Sequence, residues 1–155
     1  MSRIELFKPE HLFEMDLRPF EVSRLQADPR AMDQIYALAR MSTGGTLFVN
    51  NRIVASFGYY ELWPGCFEVW AFPSIHVNNH TMLYLRTVKR YILALMDTYA
   101  PRRIQSTSYA DEMHNRWMQF LGFTNETPNG MKAWSVLGQT FNMWSIVNEG
   151  LCDGR

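Results

Sequence analysis

The chain has 155 residues, of which 47% are hydrophobic and 19% are charged. This composition excludes a disordered protein and predicts one folded domain with a single core, which we place over residues 1–148, followed by a flexible tail over 149–155. The formal net charge is +0. A general nucleic-acid binder or a protein of anionic membranes needs a basic surplus, so neither partner class is expected.

The cysteines and the hydropathy pattern bear on the compartment. Cys66 falls in a predicted strand and Cys152 in the tail, which argues against a disulfide framework and favours a reducing environment. The sequence holds no signal peptide and no apolar run of about 18 residues, so we expect a soluble chain without a membrane span.

The first half of the chain predicts one strand, two helices and a strand meander. A short alternating strand covers Arg3 to Phe7, and a helical turn begins at Pro9. Apolar residues recur at helical spacing within 29–41, which predicts the second helix. Three strands follow, separated by the turn pairs Asn50-Asn51 and Pro64-Gly65.

The second half alternates helices and strands. A long amphipathic helix is predicted over about residues 80–98, and a strand follows over 103–109. Asp111 is the expected N-cap of the next helix and Gly122 its C-cap, while Asn129-Gly130 predicts a hairpin between the last two strands. The faces expected to be buried are Leu85, Val88, Ile92, Leu95 and Tyr99 on the first helix and Met113, Trp117, Phe120 and Leu121 on the second.

This order of elements predicts an α/β domain of the mixed α+β kind, with a central mixed sheet flanked by helices. The order resembles that of the acyl-CoA N-acetyltransferase superfamily, GNAT, over nearly the whole chain. The segment MQFLGF, from Met118 to Phe123, looks like the family's helix that ends in a Leu-Gly-Phe step. The resemblance implies a GNAT-like sheet and a site for an acyl-CoA.

Three parts of the implied acyl-CoA site depart from the family pattern. The family's glycine-rich pyrophosphate loop, in which backbone N–H groups approach the phosphates, is replaced here by the glycine-free segment 75–80. An Asn common at the start of the late helix is Asp111, whose carboxylate repels phosphates. The frequent general-acid tyrosine is replaced by Met118, which cannot transfer a proton. We therefore expect no cofactor and no catalytic residue.

More narrowly, the chain is similar to the GNAT-like internal virion protein A group of short-tailed phages. Those proteins are about this size, carry Phe-Leu ahead of a glycine in the late helix and lack a clean pyrophosphate loop. The resemblance implies a virion or internal-core assembly component whose partners are other phage virion proteins, located in the virion or the host cytoplasm. An aromatic docking surface would suit that role, with most of these tryptophans in the core and one or two exposed: Trp63, Trp70, Trp134 and Trp144.

Two alternatives stay open. In a divergent acyl-CoA N-acyltransferase, Glu61 or Glu68 on adjacent strands would be the general base, although solvated strand faces or a salt bridge to Arg52 explain both more simply. Acetyl-CoA would then bind through candidate residues near the long helix: His76, Asn79, His80 and Arg86. The second alternative is a phage inhibitor that binds a host protein.

The spacing of His76 and His80 also permits a shared metal, because residues four apart lie on one helix face. No carboxylate or cysteine follows at ligand spacing, so a loop and a helix cap explain the pair better and no metal site is expected.

Overall fold

The computed structural model describes residues 1–151. This range contains the strands β1 (Ser2–Leu6), β2 (Thr43–Val49), β3 (Arg52–Trp63), β4 (Cys66–Pro73), β5 (Arg103–Tyr109), β6 (Thr124–Asn125) and β7 (Phe141–Val147). Its helices are α1 (Pro9–Glu14), α2 (Pro19–Ala27), α3 (Ala31–Met41), α4 (Thr81–Tyr99) and α5 (Glu112–Phe120). Short 3-10 turns cover Ile75–Asn79 and Glu149–Leu151, and the remainder of the predicted tail lies outside the described residues.

The strands form one sheet in the order β1-β2-β3-β4-β5-β7-β6. Antiparallel pairing joins β1 to β2, β2 to β3, β5 to β7 and β6 to β7. β4 pairs with β5 in parallel, from Cys66 opposite Arg103 to Glu68 opposite Gln105. The sheet is therefore mixed, and the predicted α/β class is confirmed. Within residues 1–151, no helix has the length and apolar character needed to cross a membrane.

Residue contacts divide the chain into two compact units, the first of which comprises Met1–Tyr60 and Trp70–Arg86. This unit has its own apolar core, formed by Leu12, Met15, Ile35, Phe48, Ile53 and Phe72. Partly buried side chains pack against that cluster: Phe7, Leu17, Leu25, Leu38 and Trp70. The single domain expected over residues 1–148 stays a prediction.

A buried hydrogen-bond chain attaches α1 to the strands of this unit. Nδ1 of His11 accepts from the Lys8 backbone N–H at 3.2 Å and lies 2.7 Å from Thr46 Oγ1, which lies 2.8 Å from Ser56 Oγ. Because Nδ1 accepts a backbone N–H, it carries no proton and the Thr46 hydroxyl donates to it. Burial lowers the pKa of His11, against an opposing effect of the Glu5 carboxylate, so the neutral imidazole is favoured.

The helix α2 is missing from the predicted elements. The side chain that it buries is the charged Glu21, so the sequence lacks the apolar stripe that marks a helix. Glu21 accepts from the Arg18 guanidinium at 3.1 Å and from the Arg24 guanidinium at 2.6 Å, which compensates for its burial. Pro19, at the first helical position, is the signal that the sequence offers.

The second unit comprises Glu61–Val69 and the described residues from Thr87 onward. α4 buries Leu85, Val88, Ile92 and Leu95 as predicted. The predicted burial of Tyr99 is wrong, since this side chain is 52% exposed. Tyr99 is the last residue of the helix, and its ring contacts that of Phe67 at a centroid distance of 5.0 Å while half of its surface stays open.

The buried face of α5 differs from the predicted one by a small rotation of the helix. Trp117 and Leu121 are buried as expected, but Met113 is 38% exposed and Phe120 is 36% exposed. The face that meets the core has the i, i+3, i+4, i+7 spacing typical of an amphipathic helix, with His114, Trp117, Met118 and Leu121.

The last two strands are not joined by the predicted two-residue hairpin at Asn129-Gly130. β6 is only two residues long and pairs with Trp144 and Ser145, and the connection to β7 runs over residues 126–140. The Asn-Gly pair makes a turn inside this connection, where Gly130 has a φ of +81° and its N–H donates to Thr127 O at 2.7 Å. The turn signal is therefore real, but it closes a loop and does not set the register of two strands.

The tryptophans divide between core and surface. Trp144 is 1% exposed and Trp70 is half-buried, with its Nε1 donating to Ser42 Oγ at 2.8 Å. Trp63 and Trp134 are more than half exposed. Two of these four tryptophans therefore remain on the surface, as expected, but the other two are not the majority in the core that the sequence predicted.

Cys66 is a free, buried thiol at the start of β4. Burial raises its pKa, against an opposing effect of Arg103, so the reactive thiolate is disfavoured. Cys152 lies outside the described residues.

Gly122 provides a test of the predicted C-cap, because its φ is +97°. The nearest atom to an added Cβ is Ile146 Cδ1 at 3.9 Å, so any cost of a side chain there is conformational and not steric. We expect Gly122→Val to lower the free energy of unfolding by about 1–2 kcal/mol, measured by urea denaturation. Gly122→Asn is the matched control, since Asn tolerates positive φ, and equal losses in both variants would contradict the explanation.

The His11 network predicts a pH dependence of stability. A His whose pKa is lowered in the folded state stabilises the fold fully above its unfolded pKa of 6.5, and that contribution is lost as the pH falls through the folded value. We expect urea midpoints of the wild type to fall below pH 6.5 more steeply than those of His11→Asn, whose amide oxygen can accept the same N–H without titrating. Parallel pH profiles for the two proteins would refute a role of His11 in this loss.

Candidate functional site

The corner between β4 and α4 is the place where the sequence predicts a lost phosphate site. Ser74, fully buried at the end of β4, organises this corner. Its Oγ donates to Ile53 O at 2.7 Å and accepts from the His76 backbone N–H at 3.1 Å. Val77 is also fully buried, so the turn over Ile75–Asn79 is anchored at two points.

Five backbone N–H groups in and beside this turn are occupied by oxygen atoms of the protein. Besides His76 N, four backbone N–H groups donate to backbone carbonyls: Ser74 N to Val54 O at 2.8 Å, Ile75 N to Asp16 O at 2.9 Å, Val77 N to Ser74 O at 3.2 Å and His80 N to Val77 O at 2.9 Å. A pyrophosphate needs several such donors converging on its oxygens. These five donors are committed to the chain itself and do not fit the cradle that the pyrophosphate of an acyl-CoA requires.

The conformation of the turn agrees with this conclusion. Asn tolerates the left-handed region that phosphate-binding loops use, which would have allowed Asn78 and Asn79 to replace glycines. Among the described residues, positive φ at non-glycine positions falls elsewhere, at Asn50, Asn51, Ala100 and Ala133. The two asparagines therefore stay in a right-handed 3-10 turn.

Three of the four predicted cofactor-binding residues line one cavity of about 340 Å³ in the first unit. The turn contributes His76, Asn79 and His80. The other walls come from the hairpin between β2 and β3, with Val49, Asn50, Arg52 and Val54. We call this cavity the Arg52 pocket. Arg86, the fourth predicted residue, is exposed on α4 and is not part of its lining.

The Arg52 pocket offers donors and positive charge but no carboxylate in its lining. A guanidinium, two imidazoles and two side-chain amides can bind an anionic oxygen group, and the planar guanidinium suits a carboxylate in particular. His76 Nε2 lies 2.8 Å from Asp16 Oδ2, so Asp16 orients this imidazole from outside the lining. The pocket therefore combines anion-binding groups with two imidazoles, and that of His76 is held by a carboxylate.

The two predicted general-base candidates lie in the second unit. Glu61 is exposed on β3. Glu68 Oε1 accepts from Gln105 Nε2 at 3.5 Å, and Gln105 Oε1 accepts from Arg103 Nε at 2.8 Å. Glu68 is therefore part of a polar network on the sheet, which favours a structural role over catalysis.

This network continues to Glu126, which accepts from both terminal nitrogens of Arg103 at 2.6 and 2.8 Å. Ser145 Oγ donates to the same carboxylate at 2.8 Å. The hydrogen bonds from Arg103, with a smaller effect of Ser145, lower the pKa of Glu126 to about 2. A carboxylate held in its ionised form in this way stabilises the ends of β5, β6 and β7 and cannot act as a base near neutral pH.

The two other departures from the GNAT pattern have structural roles. Asp111 is the N-cap of α5, since Oδ1 accepts from the His114 backbone N–H at 2.8 Å. His114 Nδ1 lies 2.7 Å from the same oxygen, so the carboxylate is held by two groups. Met118 is buried at 8% exposure and contributes to the core. No group of three His, Cys, Asp or Glu side chains suited to a metal ion occurs in the part of the chain described.

The sequence did not identify Asn50, Arg52 and Asp16 as neighbours of the histidines. The Asn50-Asn51 turn was predicted, and β3 begins at the next residue. Ser74 N donates to Val54 O, so the tip of this hairpin lies beside the end of β4. Counting residues along β3 and β4 would have placed the hairpin tip beside the end of β4. Asp16 lies in an irregular segment, and no sequence signal indicates that it contacts His76.

Comparisons with known proteins support the fold. Neither a family model nor a curated protein matches this sequence. Solved structures do match: Ard1 from Thermoplasma volcanium has a TM-score of 0.72 at 11% identity, covering 94% of this chain and 97% of its own. A GNAT-family acetyltransferase from Bacillus anthracis has a TM-score of 0.66 at 10% identity, covering 94% of each chain. The aminoglycoside acetyltransferase AAC(6')-Ib, solved with coenzyme A, has a TM-score of 0.65 at 14% identity, covering 96% of each.

The chain therefore has the GNAT fold, as the sequence predicted. At 10–14% identity these likenesses establish the architecture alone, because one fold supports many unrelated functions.

Proposed function

We propose that this protein uses the GNAT fold to bind another protein and does not transfer an acyl group. The observation that carries the proposal is the closed turn between β4 and α4. Five of the backbone donors there bind oxygen atoms of the chain itself, in the segment where the family pattern has an open, glycine-rich cradle.

Two residues of the second unit support the same conclusion. The Asp111 carboxylate caps α5 and adds a negative charge at the place where the family pattern has a neutral amide. The buried thioether of Met118 occupies the family's general-acid position and has no proton to give. Both side chains serve the structure of α5, and neither supplies acyl-transfer chemistry.

The Arg52 pocket gives the proposed partner its chemistry. Arg52 presents positive charge beside the imidazoles of His76 and His80 and the amides of Asn50 and Asn79. An acidic side chain of a partner protein can pair with the guanidinium in a bidentate manner, and charge complementarity of this kind favours correct docking. We propose that the pocket receives such a carboxylate.

The biological setting that we propose is the phage particle, with other virion proteins as partners and the virion or the host cytoplasm as location. Support comes from the resemblance to the internal virion protein A group. A host-directed inhibitor would use the same protein-binding chemistry, so the identity of the partner distinguishes the two roles.

A divergent acyltransferase is the second candidate, favoured by the acetyltransferase function that the matching structures carry in their names, one of which contains coenzyme A. It requires acetyl-CoA to bind near His76, Asn79, His80 or Arg86, with Glu61 or Glu68 as base. The proposal of a protein-binding role requires that acetyl-CoA does not bind there.

Titration with acetyl-CoA separates the two candidates. Because the turn donors are occupied, we expect isothermal titration calorimetry near neutral pH and moderate salt to give no saturable heat at low micromolar affinity. The matched variant is Asn79→Trp, which places a bulky ring in the turn. Saturable binding that Asn79→Trp abolishes would overturn the protein-binding proposal and favour the acyltransferase.

Partner capture tests the Arg52 pocket directly. We expect Arg52→Glu to reduce recovery of the specific partner by about tenfold or more, since it places a negative charge where a carboxylate would bind. Arg90→Glu, an equal charge change at an exposed position of α4, is the control and should retain recovery. Partners are quantified by mass spectrometry of particle and cell fractions.

Each outcome of the capture experiment has a defined meaning. Enrichment of virion proteins that depends on Arg52 supports the assembly role, and enrichment of one host protein supports the inhibitor. Equal recovery by Arg52→Glu and Arg90→Glu would show that the pocket does not bind the partner.

A further inference from the structure

β1 is an edge strand, because it is the first strand in the sheet order and pairs with β2 on one side. Two flanking hydrogen bonds show which backbone groups of β1 point toward β2. Asn50 N donates to Met1 O at 3.0 Å, and Phe7 N donates to Gly44 O at 3.2 Å. Backbone groups alternate in direction along a strand. Odd-numbered residues therefore face β2, and the N–H and C=O groups of Ser2, Ile4 and Leu6 face the open edge.

The charges of β1 are self-complementary about Ile4. The strand sequence is Ser-Arg-Ile-Glu-Leu, with Arg3 and Glu5 on one face, where Arg3 Nε lies 2.8 Å from Glu5 Oε2. We propose that β1 pairs antiparallel with β1 of a second copy of this chain, with Ile4 opposite Ile4 at a two-fold axis. In this arrangement Arg3 of each copy lies opposite Glu5 of the other.

The hydrogen-bonding pattern agrees with this register. The pairs Ser2 with Leu6, Ile4 with Ile4 and Leu6 with Ser2 have their backbone groups directed toward each other, and each such pair exchanges two hydrogen bonds. Arg3 and Glu5 then fall at the non-hydrogen-bonded positions, where cross-strand side chains approach most closely. Backbone and charge requirements are satisfied by the same alignment.

The neighbouring alignments are disfavoured by the same charges. Shifting the axis to Arg3 places the two guanidinium groups directly opposite each other, and shifting it to Glu5 does the same with two carboxylates. Like charges at directly opposed positions are destabilising. The pattern therefore selects the alignment centred on Ile4, and a second copy satisfies it without requiring any other protein.

The apolar side chains of β1 provide a further reason for association. Ile4 is 45% exposed and Leu6 is 80% exposed, on the face opposite to the charges. Pairing covers the two Ile4 side chains against each other and Leu6 against Ser2 of the partner. A contact of one short strand is smaller than the interface of an obligate dimer, so the association is weak and reversible.

Sedimentation velocity of tag-free protein, over about 5 to 500 µM at moderate salt, measures this association. We expect a monomer–dimer equilibrium in this range for the wild type. Ile4→Pro removes an N–H that faces the open edge and leaves the hydrogen bonds to β2 intact. An edge strand tolerates proline at such a position, so this variant should fold and be monomeric. Ile4→Val keeps the N–H and should dimerise. A wild type that is monomeric throughout, or an Ile4→Pro variant that dimerises equally, would overturn the proposal.

Charge exchange keeps the test informative if Ile4→Pro does not fold. Arg3→Glu places carboxylates opposite each other and should raise the dimer dissociation constant by about tenfold. Adding Glu5→Arg to Arg3→Glu restores the complementary pattern with its sign reversed and should recover wild-type dimerisation. Circular dichroism verifies the fold of each variant, and failure of the double variant to recover would refute the proposed register.

Discussion

The hydroxyl group of Ser74 determines the character of the corner between β4 and α4. It donates to a carbonyl of β3 and accepts an N–H of the following turn, so strand and turn are fixed to each other inside the protein. With this bond in place the chain closes into a 3-10 turn, and the N–H groups of Ser74 to Val77 and of His80 bond to oxygen atoms of the chain itself. The same closure brings two histidines beside the β2–β3 hairpin, which forms the Arg52 pocket. The closed turn and the pocket beside it thus share one structural cause.

The parts of the fold that the sequence predicted are those governed by local chemistry. Asn50-Asn51 adopts positive φ, Asp111 caps α5 and Gly122 ends that helix in a left-handed conformation. Each of these residues acts within a few positions of itself, so its effect can be recognised without the tertiary structure. The mixed sheet followed from the order of such local elements.

The errors arose where tertiary contacts override local signals. α2 is held by Arg18 and Arg24 around a buried carboxylate, an arrangement that leaves no periodic apolar stripe. The Asn129-Gly130 turn has the expected chemistry, but its flanking segments do not pair as the strands that a hairpin requires. For the candidate site, the turn residues were identifiable because they follow a strand and precede a helix. Arg52 carries no local signal of this kind, and only counting residues along β3 and β4 places it beside the end of β4.

The buried thiol at the start of β4 makes local opening of the second unit measurable. Cys66 lies at the first position of the parallel pairing with β5, opposite Arg103, and its sulfur is shielded from solvent. A thiol reagent can reach this sulfur only when the structure around it opens transiently. The alkylation rate of Cys66 therefore reports how often the structure opens around the start of β4, a quantity that neither the melting temperature nor a ligand affinity contains.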